Sequence, residues 1–341
     1  MIVNKNKKIV LILIIVFVFI TSFLSGCYND DEGYKKMEIL DFPSDEGRHE
    51  GFEEAWNFGC YVQSSEGNSY FCGVVYQLPR SNERMSQLIG VLDIDGSYGT
   101  VRNSTYFSLT TKSNSFNYDN DKLNIRYGPS ERWSQISSNP YVYEFVANFN
   151  DQGRNFSFDF EIKSNKGPTV EIPLGFMGEE YNNSYLYDHT NVDVSGYLTI
   201  GYKKMSVSGI GVIDRVWGDR LVGDWNWFAI RFSDNYDLVA MKTQSINGKI
   251  NIGYIVNPQG KVKKISDLEI KPVNYTDRWW IKKWFITSND IDLNLTVEII
   301  GNLIEYDILY VREATCRVNG IWKDKSIIGN GFVEQSIRFL N

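Results

Sequence analysis

The sequence predicts an almost all-β chain folded as two antiparallel barrels in tandem. Three observations predict it. Alanine, the best helix former, occurs only five times in 341 residues, against 21 Tyr, 20 Phe and 9 Trp. Short runs rich in aromatic and β-branched residues recur at roughly eight- to fifteen-residue spacing, separated by Gly, Asn, Asp and Ser. These runs form two consecutive sets of about eight, which meet near residues 210–225.

The chain begins with a basic stretch, Lys5-Asn6-Lys7-Lys8, followed by an apolar run that ends in Leu24-Ser25-Gly26-Cys27. A run of about 15 apolar residues is short for a membrane span, which needs about 20. With its small residues and cysteine it reads as a secretory signal with a lipobox, and Cys27 carries the lipid. Residues 1–27 are therefore expected to be the signal and residues 28–48 a flexible tether. The globular part then lies outside the cytoplasm, anchored to the membrane.

From there the expected strands of the first set cover 56–64, 70–77, 88–92, 106–111, 122–127, 141–147, 156–163 and 169–172. Residues 82–87 are the best candidate for a short helix, and 173–193, rich in Gly, Asn and Tyr, for a lid or mouth loop. A hairpin, 194–201 and 204–213, ends the first set. The second covers 225–232, 238–243, 249–256, 262–265, 279–287, 293–299, 304–318 and 326–338. The domains are accordingly 49–220 and 221–341. Cys60 and Cys72 flank a strand–turn–strand pattern with Glu66-Gly67 at its tip, which places them across from each other. They form either a cross-strand disulfide, open to an exported protein, or two buried thiols.

Net charge is −7 with no dominant basic patch, which argues against nucleic acid as a partner. Two histidines, His49 and His189, and no Cys-x-x-Cys make a poor metal-ligand set, and no cofactor motif occurs. The densest chemistry lies at the midpoint, in Asp214-Arg215-Val216-Trp217-Gly218 and Trp225-Asn226-Trp227-Phe228. Strand alternation turns Asp214 and Val216 one way, and Arg215 and Trp217 the other. Trp225, Trp227, Ala229 and Arg231 share one face of the next strand. Such aromatics are ordinary core or interface filler, or else they line a cleft near the domain junction that takes an apolar ligand.

These segments resemble the AttH/CrtC family of carotenoid 1,2-hydratase-like proteins, which are built of two lipocalin-like domains. The markers are Glu54-Ala55-Trp56-Asn57-Phe58-Gly59, Glu66-Gly67-Asn68-Ser69-Tyr70-Phe71, Gly209-Ile210-Gly211 with Asp214 to Gly218, Trp225 to Phe228, and Gly329-Asn330-Gly331-Phe332-Val333-Glu334. The resemblance implies two lipocalin-like antiparallel β-barrels and a site around Asp214 and Trp217. In the hydratases a His implicated in catalysis precedes the Trp of the central block; here that position is Arg215. A guanidinium stays protonated and cannot cycle a proton as an imidazole does. Ala55 also replaces an aromatic residue of the opening motif.

Three readings follow. The first is a lipid-anchored protein binding an apolar or isoprenoid-like small molecule through Trp56, Arg215, Trp217, Trp225, Trp227 and Glu334. The second is a hydratase-, isomerase- or cyclase-like enzyme on an unsaturated hydrophobic substrate, with Asp214 and Arg215 as the catalytic candidates. The third is a structural envelope protein. The loss of the family His favours binding over carotenoid hydration.

Overall fold

The structure is a computed structural model. It describes residues 40–78, 80, 86–94, 106–109, 116–117, 122–127, 131–151, 153–170, 184–218, 224–245, 248–275, 280–306 and 311–336. Residues 1–39, with Cys27 and most of the expected tether, lie outside them, as does 173–183 of the expected lid.

The fold is all-β, two antiparallel sheets in sequence, and it contains no α-helix among the described residues. The first sheet holds β1 (Glu53–Ser64), β2 (Ser69–Leu78), β3 (Ser86–Asp93), β4 (Tyr106–Leu109), β5 (Phe116–Asn117), β6 (Asn124–Tyr127), β7 (Glu131–Ser138), β8 (Tyr141–Asp151), β9 (Arg154–Ser164), β10 (Thr169–Val170), β11 (Tyr185–Ile200) and β12 (Lys203–Gly218). The second holds β13 (Trp225–Phe232), β14 (Asp237–Ser245), β15 (Gly248–Val256), β16 (Val262–Lys264), β17 (Glu269–Tyr275), β18 (Ile281–Ser288), β19 (Leu293–Tyr306), β20 (Val311–Trp322) and β21 (Lys325–Ser336).

Both sheets are meanders whose first and last strands pair, β1 with β12 and β13 with β21. Each curls over its own apolar core. Tyr76 on β2 meets Trp133 on β7, six strands along the sheet, at 6.3 Å. Phe228 on β13 meets Trp284 on β18 at 5.1 Å. Such contacts need the sheet to bend round until its interior side chains meet, which is the lipocalin-like arrangement.

The two sheets repeat one plan. Gly209-x-Gly211 on β12 opposes Val62 and Cys60 on β1, and Gly329-x-Gly331 on β21 opposes Phe232 and Ile230 on β13. A methyl on Gly209 would sit 1.9 Å from the Tyr61 carbonyl, and one on Gly331 2.2 Å from that of Ala229. Only glycine lets the closing strand lie so near the opening one. The outer faces of these equivalent strands pack together, with Phe71, Val212, Trp227, Ala229, Val239, Tyr254 and Phe332 forming one shared apolar layer. A buried polar latch reinforces it. Lys166, beyond β9, donates to Asp237 on β14 at 2.8 Å, and Thr190 and Asn191 on β11 also donate to Asp237.

Several expectations need correction. Residues 40–48 are not tether: a 3-10 turn, Ser44–Glu46, folds into the first barrel and buries Asp45, Glu46 and Arg48. Ser86 and Gln87 belong to a strand, not a helix. Residues 185–193, expected in the lid, are the start of β11, buried from Tyr185 to Val192. β7 and β17 were not expected, because their alternation is broken by exposed polar residues such as Arg132, Ser138 and Lys271. The single strand expected at 304–318 is the end of β19 and the start of β20. Cys60 and Cys72 stand directly opposite each other, as the turn predicts, but as two buried thiols and not a disulfide.

Candidate functional site

Strand alternation divides the predicted residues between two places. Trp56, Arg215 and Trp217 point into the first barrel. Asp214, Trp225, Trp227 and Glu334 lie on the outer faces, between the barrels. They do not form one cleft.

The outer set is closely packed. Asn57, Asp214, Trp227, Glu313 and Glu334 border a cavity of about 30 Å³ between the sheets, room for about one water and none for an isoprenoid. Asn57 donates to Asp214 at 3.0 Å, and Trp225 donates to Glu334 at 2.5 Å. Burial pushes the Asp214 carboxyl up to about 6, against the pull of Asn57 and Arg215. Burial, then the neighbouring Glu313 and Asp214, hold Glu334 well above the usual carboxylate range. By register Glu334 is the counterpart of Asp214, each three residues beyond its Gly-x-Gly. The repeat therefore brings two equivalent carboxyls together at the junction.

The inner set is chemically richer. Glu54 and Trp56 on β1 face the same interior as Arg215 and Trp217, because Glu54 opposes Trp217 and Trp56 opposes Arg215. The Arg215 guanidinium lies 4.0 Å over the Trp56 ring and 5.2 Å from that of Trp217. It donates to Glu54 at 3.0 Å and to the Gly47 carbonyl at 2.7 Å. Arg48 reaches the other Glu54 oxygen at 2.9 Å. Burial alone would raise Glu54, but Arg215, His49 and Arg48 outweigh it and hold the carboxyl below its ordinary value.

His49 completes the group. Its ring stacks on Trp217 at 4.1 Å and 2°, and Tyr185 lies parallel to Trp217 at 5.4 Å. One imidazole nitrogen contacts Glu54 at 3.0 Å and the other Asp45 at 3.1 Å. The second histidine lies further along β11, opposite Ile213. His189 contacts Glu46 at 3.0 Å, Tyr143 at 3.1 Å and Ser164 at 2.9 Å. Across the sheet Glu131 accepts from Gln87, which also donates to Tyr76. Burial pushes Glu131 up to about 7, with Gln87 pulling the other way. Arg215 Nε and Trp217 Nε1 are buried donors with no acceptor among the described residues. The arrangement offers aromatic walls, a fixed cation and imidazoles. Those are the parts of acid–base chemistry on an apolar molecule.

Sequence reasoning missed His49, His189, Glu46, Tyr143 and Glu131. One signal was available: both histidines of the chain belong to this cluster. His49 was hidden because it stands at the edge of a segment that resembles a tether.

The AttH-like family matches residues 94–335. The chain belongs to the AttH-like family. Its fold is similar to that of a protein described as AttH from Nitrosomonas europaea, with a TM-score of 0.72, 13% identity, and coverage of 89% of this chain and 98% of that one. It is also similar to kievitone hydratase from Nectria haematococca, with a TM-score of 0.66, 14% identity and coverage of 83% and 88%. CghA in complex with Sch210972 follows, with a TM-score of 0.50, 10% identity and coverage of 88% and 96%. No curated protein matches the sequence. The region of the AttH-like match takes in β4 to β12 and all but the last residue of the second barrel's strands. The strand that carries Glu54 and Trp56, and the segment that carries His49, precede it.

Proposed function

We propose that this AttH-like protein takes an unsaturated apolar small molecule into the first barrel, against Trp56 and Trp217, and moves a proton to or from it through His49. The reaction is of hydratase or isomerase type. One observation carries the reading: an imidazole stacks on Trp217, hydrogen-bonded to two carboxylates. The resemblance places the family's His beside that same Trp. Arg215 occupies the motif position, while His49 returns an imidazole to the space from a different part of the chain. Arg215 and Trp217 keep a donor each for a water or substrate oxygen. One structural neighbour is named a hydratase, which fits the same chemistry. Charged groups so deeply buried are costly to a fold, and a site is where that cost is commonly met.

A second reading, binding without turnover, draws on the way Glu54 and the Gly47 carbonyl already hold one arm of the Arg215 guanidinium. Native mass spectrometry of the purified protein, before and after incubation with a C20 isoprenoid alcohol, separates the two. Gain of one water, or an isomer resolved by chromatography, indicates catalysis. Retention of the unchanged alcohol indicates binding, and no retention contradicts both. We further propose that the protein is a membrane-anchored lipoprotein outside the cytoplasm, from the sequence up to Cys27. Mass spectrometry of the intact protein and of Cys27→Ser would show the lipid on the first and its loss on the second.

A further inference from the structure

A groove of about 720 Å³ lies on the outer face of the second barrel, where it meets β12. Its size falls in the range of small-molecule sites, about 300–1,000 Å³. It lies on the opposite face of β12 from Arg215 and Trp217, so it is separate from the proposed reaction site. Strand register builds its polar floor. Asn330 on β21 lies directly opposite Arg231 on β13 and directly opposite Arg317 on β20. All three share the outer face with Phe332 and Glu334. At a strand spacing of about 4.8 Å, the two arginine positions stand about 10 Å apart with the carboxamide between them.

The charges are available. Among the described residues Arg231 is paired only with Asp193 of the first barrel, at 3.1 Å, in a partly exposed contact that a competing anion can displace. Arg317 is exposed and makes no ion pair or hydrogen bond among the described residues, although Glu298 stands opposite it on β19. Ile210 and the 62%-exposed Ile328 supply apolar wall. Two guanidinium forks suit a carboxylate or phosphate, and the isoleucines suit an apolar body.

We propose that this groove binds a small amphipathic anion, with its carboxylate or phosphate head on Arg231 and Arg317 over Asn330 and its apolar part along Ile210 and Ile328. Isothermal titration of the full chain with inorganic phosphate, benzoate and phenyl phosphate tests it. The expected result is saturable binding of benzoate or phenyl phosphate, tighter than that of inorganic phosphate; the order of the first two identifies the head group. Arg317→Ala, at an exposed position that the fold does not use, weakens binding about tenfold or more. Ile328→Ser removes the preference over inorganic phosphate. If none of the three probes saturates, or if Arg317→Ala binds all of them as the wild type does, the proposal is overturned. Neither result bears on the first-barrel chemistry.

Discussion

Glu54 shows how much the site asks of single residues. Its side chain is fully buried and meets two guanidiniums, Arg48 and Arg215. Removing one cation leaves charge uncompensated, so Arg215→Met should cost about 3–5 kcal/mol in urea unfolding, and adding Glu54→Gln should recover part of it. The sign with pH follows from the lowered Glu54 pKa. Its contribution is present above the unfolded value of 4.5 and is lost as pH falls through the folded value. The double variant should lack that acid limb. Glu131 behaves oppositely. Between its unfolded 4.5 and about 7, the folded state keeps a proton that the unfolded state releases, so stability declines as pH rises through that window. Glu131→Gln should therefore melt higher than wild type at pH 8 and close to it at pH 4. Equal melting shifts at both pH values would contradict the assignment.

The strand β12 connects the elements. Its alternation was legible in the sequence, and with it the opposed directions of Asp214 and Arg215 and the shared face of Trp225 and Trp227. The Gly-x-Gly blocks were legible as family markers. Their reason, carbonyls about 2 Å from where a methyl would be, needed the register. Gly209→Ala and Gly331→Ala should each separate the opening and closing strands of one barrel and lower the melting temperature by several degrees. Gly67→Ala meets no atom within 4 Å, so any loss there comes from its φ of +89° and not from a clash between strands. The segment 40–49 was the least legible element. It has no periodicity, because its side chains are placed by partners across the barrel: Glu46 by Tyr143 and His189, and His49 by Trp217. Composition alone reports such a segment as polar linker. The expected cleft failed for a related reason. Pattern assigns a residue to a face, but it does not tell whether the facing surface leaves a space.

The molecule as a whole is two copies of one meander joined by their equivalent outer faces. The Lys166–Asp237 latch fixes that junction with a buried charge pair. Asp237→Ala would leave the buried Lys166 charge with only the Asn235 carbonyl and take away the acceptor of Thr190. Hydrogen exchange should rise at the amides of Val239 and Tyr254 in the shared layer, while the interior amides of β8 and β9 stay protected. Exchange confined to the latch itself would show that the apolar layer holds the barrels unaided. The proposed reaction site, by contrast, belongs to the first barrel and to the segment that enters it. Its most direct test is solvent deuterium incorporation into a C20 isoprenoid alcohol, comparing wild type with His49→Gln. The account predicts deuterium at an alkene carbon with wild type and its loss in the variant, with thermal stability largely retained. Incorporation by His49→Gln at the wild-type rate would contradict it.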